Sequence, residues 1–232
     1  LSLGTDPKAV TGINQTLDMW TGEISSKFSY KGKKYSVQTV CDPALDMIGA
    51  HIVSDGKIAV DLRFPYPTGG HCDDACDWTK DNLHSTVLVG KTANSATLKR
   101  TIDATVYYVT VRWEGKAKIK QTGKNRYQLV VGGKTLSLTC EYSEQPSKAD
   151  KTFAQVEAES KTYWEGYWKK GGMADFGACK DPRAKEMERR VVLSQYLLAI
   201  QDAGDTPPQE TGLTYNSWFG KFHLEMIWWH QA

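Results

Sequence analysis

The 232-residue chain is 40% apolar and 24% charged, with a formal net charge of +2 at pH 7. These are the proportions of an ordinary globular protein, with chain enough for a sizeable core in one large or two modest domains. They leave no electrostatic footprint for nucleic acid, and no apolar run approaches the roughly 18 residues that cross a bilayer.

The first residue is Leu1 rather than Met, which points to processing or trimming, and no cleavable signal is visible. Asn14-Gln15-Thr16 fits the glycosylation-acceptor pattern. Phe28, Tyr30, Tyr35, Val37 and Thr39 alternate around Lys31-Gly32-Lys33-Lys34, which predicts a hairpin. Further strands are predicted at 46–53, 58–65, 84–90, 96–102, 104–112, 126–131 and 136–141. In 106-VYYVTVRW-113 the β-branched and aromatic residues that strands favour dominate. Gly132-Gly133 between two apolar runs marks a turn. Short strands with Gly-rich turns up to about residue 142 predict an antiparallel β-sandwich over 1–142.

The five cysteines, Cys41, Cys72, Cys76, Cys140 and Cys179, are odd in number and scattered, which is no disulfide framework. His71-Cys72-Asp73-Asp74-Ala75-Cys76-Asp77 gathers metal-ligating side chains. A zinc site needs a second ligand pair, and the sequence holds no matching one. A polar loop, or a local Cys72–Cys76 disulfide in an exported protein, fits better, and no metal is expected.

From Ser143 the pattern changes. Residues 143-SEQPSKAD-150 read as a polar linker, and 151–170 as a helix stopped by Gly171-Gly172, so that 143–162 joins the sandwich to a helical part over 163–232. The pairs Tyr163–Tyr167 and Trp164–Trp168 set aromatic rings on neighbouring stripes of that helix. In 181-DPRAKEMERRVVLSQYLLAIQDAG-204, Asp181 is placed to cap, Pro182 to begin and Gly204 to stop a second helix. Its apolar face runs through Met187, Val191, Leu193, Tyr196, Leu197 and Ile200. A loop over 205–218 and a third helix over 220–232 follow. Wide aromatic faces of this kind call for a partner, which the sandwich, another subunit or further chain could supply.

The candidate chemistry lies near the end of the chain. Pro207-Pro208 stiffens the loop that carries Gln209, Glu210, Tyr215, Asn216 and Trp218. His223 and Glu225 follow among Phe222, Trp228 and Trp229. On a helix, His223 and Glu225 lie roughly 200° apart; in an extended lead-in, Lys221, His223 and Glu225 share one side. Aromatic faces with a carboxylate and an imidazole suit a sugar, whose ring C–H faces pack on Trp while its hydroxyls bond the polar groups. The plain alternative is a helix–helix connection in which His223 caps the helix and Glu225 pairs with a basic neighbour. There is no G-x-S-x-G elbow, phosphate loop or dinucleotide fingerprint, and no cofactor is expected.

Together, 163-YWEGYWKKGGMADF-176, 181-DPRAKEMERRVVLSQYLLAI-200 and 207-PPQETGLTYNSWFGKFHLEMIWWH-230 resemble the opening helices of the (α/α)6 barrel in six-hairpin glycosidases. The nearest group is the clan of glycoside hydrolase family 65, the maltose phosphorylase-like enzymes. Residues 17-LDMWTGEISSKFSYKGKKYSVQT-39 resemble part of the β-sandwich that precedes that barrel through a helical linker. The resemblance implies a mixed fold, β then α: a supersandwich-like antiparallel β-sandwich followed by a few helices of an incomplete (α/α)6 toroid. It matches Gly220-Lys221-Phe222-His223-Leu224-Glu225 to a family segment whose final Asp, following a Trp, holds sugar hydroxyls. Glu225 stands at the Asp and Leu224 at the Trp. The substrate-binding residues so expected are Glu225, His223, Trp218, Trp228, Glu210 and Gln209.

Several expectations follow from the resemblance. A complete barrel needs about a dozen helices of roughly 12 residues each, so this chain is expected to be part of a longer, exported (secreted or periplasmic) glycosidase and inactive alone. No position here matches the family's general acid. The parent enzyme would invert the anomeric centre, with one carboxylic acid protonating the leaving oxygen and a second carboxylate activating water, about 6.5–9.5 Å apart; in the clan's phosphorylases phosphate replaces that water. The partners implied are carbohydrate and the remainder of the barrel or another subunit. The competing readings are a non-catalytic carbohydrate-binding surface protein and an oligomerising domain.

Overall fold

The structure is a computed structural model and describes residues 2–70, 75–170, 172–205, 208–210 and 222–231. The strands are β1 (Val10–Asp18), β2 (Glu23–Tyr30), β3 (Lys33–Cys41), β4 (Met47–Ser54), β5 (Ala59–Arg63), β6 (Tyr66–Pro67), β7 (Cys76–Asp77), β8 (His84–Lys91), β9 (Ser95–Ile102), β10 (Thr105–Glu114), β11 (Ala117–Gly123), β12 (Arg126–Val131) and β13 (Thr135–Ser143). The helices α1 (Phe153–Lys169), α2 (Ala184–Gln201) and α3 (Leu224–Gln231) follow. The order is the expected one, an antiparallel β-sandwich and then helices. The chain divides into two compact units, Leu1–Tyr66 with Trp78–Tyr167, and Pro67–Asp77 with Trp168–Ala232.

The first unit is the sandwich. One sheet has eight strands in the order β1-β2-β3-β4-β13-β10-β9-β8; a three-stranded sheet, β11-β12-β5, lies against its middle. The last strand, β13, inserts between β4 and β10, which closes the large sheet around a non-local pairing. Alternation decides what each strand buries. Ala50 and Ile52 of β4, Leu98 of β9, Val109, Val111 and Trp113 of β10, and Leu136 and Leu138 of β13 meet Val60, Leu62, Ile119, Tyr127 and Leu129 of the small sheet in one core. At roughly 25 cal/mol per Å2, burying each such side chain stabilises the fold by about 1.5–3 kcal/mol before entropy is counted.

The other face of β4 belongs to α1. Val40 and Met47 join Phe153 and Val156 in a second buried cluster, and the His51 ring lies 5.6 Å from that of Phe153. Helix α1 buries Phe153, Val156, Ser160 and Trp164, a spacing of three and four that keeps one stripe on the sheet. It starts with a capping box: Gln155 N–H donates to Thr152 Oγ1 (3.3 Å) and Thr152 N–H to Gln155 Oε1 (2.8 Å). Further along, Ser160 Oγ donates to the Thr21 carbonyl (3.0 Å). The β1–β2 turn is close enough there that a Cβ on Gly22, whose φ is +71°, would fall 2.3 Å from Trp164 Nε1. Lys151, just before the helix, joins Asp42 (2.6 Å) to Glu159 (2.5 Å).

Four strands fall outside the sequence-based expectation: the two-residue β6 and β7, and the longer β1 and β11. β1 holds Gly12, Asn14 and Gln15, carries a register shift between Thr11 and Asn14, and is almost wholly exposed because it is an edge strand. β11 is lysine-rich and borders the small sheet, so only Ile119 is buried. In both, an edge position removes the burial that produces a clear alternation.

In the second unit α2 begins at Ala184, later than Asp181-Pro182 suggested. The Asp181 carboxylate accepts from Arg183 N–H (2.8 Å) and clasps its guanidinium (3.0 and 2.8 Å), forming a separate turn before the helix. Arg183 occupies the cap position without a side-chain capping bond. The helix ends at Gln201, with Asp202 N–H donating to the Leu198 carbonyl (3.0 Å), ahead of Gly204. Of the expected apolar face, Tyr196 is buried and Met187 is exposed. Helix α3 is shorter than the expected 220–232.

Candidate functional site

Trp218, Tyr215, Asn216 and Lys221 lie outside the described residues, as do His71, Cys72, Asp73 and Asp74; the Cys72–Cys76 pairing therefore does too. Gln209 and Glu210 are half-buried. His223 and Glu225 are exposed. His223 immediately precedes α3, and its carbonyl accepts from Met226 N–H (3.1 Å). Glu225 is in the first turn, where the helix dipole favours a carboxylate. The extended geometry that would align His223 with Glu225 thus stops short of Glu225, and the helical reading holds from Leu224 onward.

That helix fixes a different grouping. Trp228 and Trp229 stand three and four residues after Glu225, so all three project from one side of α3, one turn apart. Trp228 is 71% and Trp229 64% exposed, with Leu224 at 76%. The arrangement offers indole surface beside one acceptor group. Such surface packs on the apolar face of a pyranose ring, while a carboxylate accepts from its hydroxyls. Among the described residues Glu225 has no ion-pair partner, and no group of three or more His, Cys, Asp and Glu could hold a metal ion.

The sandwich contains features that sequence reasoning missed. A cavity of about 330 Å3 beside the start of α1 is lined by Thr92, Ser95, Arg112, Ser137 and Asp150, among others. Its cations are already compensated: Arg112 faces Glu141 (3.5 Å) and Asp150 (3.6 Å), and Lys151 faces Asp42 and Glu159. It is therefore poorly suited to an anion. Thr152-x-x-Gln155 is a capping signature readable in the sequence. The acid partners of Lys151 are not, since Asp42 comes from a strand far upstream.

No protein-family profile matches the chain, and no curated protein matches it in sequence. A solved structure does share its fold. A protein assigned as a kojibiose phosphorylase, from the human microbiome, matches 82% of this chain with a TM-score of 0.54 at 11% identity. The family GH92 alpha-mannosidase of Bacteroides thetaiotaomicron aligns over 77% of the chain with a TM-score of 0.32 at 13% identity. The chain spans 28% of the first structure and 25% of the second. The kojibiose phosphorylase match shows the fold, an antiparallel β-sandwich followed by helices.

Proposed function

We propose that this chain is the β-sandwich and opening helices of a carbohydrate-active enzyme of the six-hairpin glycosidase type, acting on oligo- or polysaccharides. The observation that carries this reading is the fold shared with the kojibiose phosphorylase structure over 82% of the chain. The face of α3 that sets Glu225 beside Trp228 supports it, with His223, Gln209, Glu210 and Trp218 as further sugar-binding residues. In this reading the remaining barrel helices cover that face and supply the general acid, which leaves residues 1–232 inactive alone. An exported location belongs to the same reading.

The test compares two polypeptides, residues 1–232 and the product of the whole reading frame, on kojibiose, maltose and mannosides, with and without inorganic phosphate. Turnover by the longer product alone is expected. Phosphate dependence would mark phosphorolysis, and its absence hydrolysis by an inverting carboxylate pair. Enzyme-like turnover by residues 1–232, or a reading frame that ends at Ala232, would overturn the proposal.

The exposure of Leu224, Trp228 and Trp229 also fits a second reading, a non-catalytic sugar-binding or oligomerising protein. It predicts sugar binding, or concentration-dependent mass in light scattering, by residues 1–232 on their own.

A further inference from the structure

Where β8 begins, a polar cluster is buried inside the first unit. Arg100 of β9 is 1% exposed. Its Nη1 donates to His84 Nδ1 (2.8 Å), Thr86 Oγ1 (2.7 Å) and the Ser85 carbonyl (3.2 Å), and its Nε to Tyr107 Oη (3.3 Å). The guanidinium also lies over the Phe64 ring at 4.7 Å. No carboxylate contacts it among the described residues. An arginine in such a place is held by neutral acceptors and ring faces, and one of those acceptors can titrate.

We propose that this cluster is an acid-operated latch: protonation of His84 releases residues 78–91, the approach to β8 and the strand itself, while the rest of the sandwich stays closed. The His84 side chain is fully buried. To accept from Arg100 its Nδ1 must be unprotonated, which places the ring's single proton on Nε2. Asp81, on the loop before β8, faces that nitrogen at 3.9 Å. Asn125 Nδ2, from the β11–β12 turn, donates to the Asp81 carbonyl (3.0 Å) and the His84 carbonyl (3.4 Å) beside it, and the Tyr66 ring lies 5.9 Å from the imidazole. Lys124 adds a positive charge nearby, and Arg126 draws on the other Asp81 oxygen at 3.7 Å. A second proton on His84 would remove the acceptor from Arg100 and set two cations 2.8 Å apart, with one shared carboxylate to offset them. That is the arrangement a protein interior tolerates least.

Burial, and then Arg100, hold the His84 imidazole below its ordinary pKa, with Asp81 pulling the other way. The unfolded chain therefore binds this proton better than the fold does. The stability concerned is complete above the ordinary histidine value of about 6.5 and is lost as pH falls below it. The loss is local because β8 ends the large sheet, pairs with β9 alone and exposes Val87, Leu88 and Val89. Edge elements open with the least free energy.

The test is amide hydrogen exchange on the full chain at about pH 7.5 and about pH 5, corrected for the intrinsic rate. Protection of residues 78–91 should fall about tenfold or more at the lower pH, while β4, β10 and β13 keep theirs. His84→Gln, which retains an acceptor and cannot titrate, should abolish the fall. Asp81→Asn, which removes the one group that favours the proton in the fold, should deepen the fall while leaving its onset unchanged. Nitrogen-15 shifts of the wild-type imidazole, which need no variant, should show the neutral Nε2–H tautomer at neutral pH. An unchanged edge strand, an equal loss in all strands, a fall that survives His84→Gln, or a doubly protonated His84 at neutral pH would each overturn the proposal.

Discussion

Gly49 of β4 and Phe153 at the start of α1 meet without a side chain's width between them. A Cβ on Gly49 would lie 3.2 Å from Phe153 Cδ2 and 3.1 Å from Val40 Cγ2. The helix rests on this sheet because one residue of β4 has nothing to put in the way. Gly49→Ala is expected to destabilise the sandwich by about 1–3 kcal/mol through overpacking. Thermal or urea melts will read it. Combining it with Phe153→Leu should recover part of the loss, since the two residues share one contact.

Asp42 and Lys151 form the polar counterpart of that contact. Burial pushes the Asp42 carboxyl up, but the hydrogen bond from Lys151 and those from the Ala44 and Leu45 amides outweigh it, and the net result is a lowered pKa. The sign follows: the fold binds this proton less well than the unfolded chain, so the stability is present above the ordinary carboxylate value of about 3.9 and lost as pH falls through the lowered one. Asp42→Asn should cost about 1–3 kcal/mol at neutral pH and flatten the acid limb of stability against pH. A variant whose acid limb matches that of wild type would contradict this.

Cys140 is wholly buried on β13, and burial pushes its thiol up to about 12. Thiolate is the reactive form, so Cys140 should resist alkylation at neutral pH while the exposed Cys179 reacts; Cys41, exposed but with its thiol also raised by burial and the neighbouring Asp42 and Asp46, should react more slowly than Cys179. Pulse labelling across a denaturant series should show Cys140 modified only as the sandwich unfolds. Early labelling would mean that the β4–β13–β10 centre opens below the global transition.

For sugar binding by the protein that carries the proposed site, Trp228→Ala and Glu225→Gln should each weaken affinity for kojibiose or maltose by about five- to a hundredfold, the range of a lost charged hydrogen bond or ring contact. Both side chains are exposed, so the melting temperature should barely move. Calorimetric titration with unchanged affinity in both variants would remove α3 from the site.

The sequence was most legible where one face of a strand or helix is buried. β10 and β13 read clearly because Val109, Val111, Leu136 and Leu138 alternate against a core. α1 was legible in the Tyr163–Tyr167 and Trp164–Trp168 pairs and the Gly171-Gly172 stop, while its buried stripe of Phe153, Val156, Ser160 and Trp164 emerges only in the fold. β1 and β11 did not, because edge strands bury little. The start of α2 was misplaced because Asp181 spends its carboxylate on Arg183 rather than on a helix. At the candidate site, local spacing sufficed to group aromatic rings with an acid, but not to choose between His223 and the tryptophans as neighbours of Glu225. The onset of α3 at Leu224 made that choice. The cluster of Arg100, His84 and Asn125 was invisible for a different reason. Its members come from three separate segments, and only strand pairing brings them together.

The contact between the β1–β2 turn and α1 has a consequence for biosynthesis. Thr21 waits for Ser160, 139 residues later in the chain. At about 5–20 residues per second, translation leaves the amino-terminal ribbon without its helical support for roughly 7–28 s. In that interval the turn carries neither the Ser160 bond nor the Trp164 contact that anchors it in the finished fold.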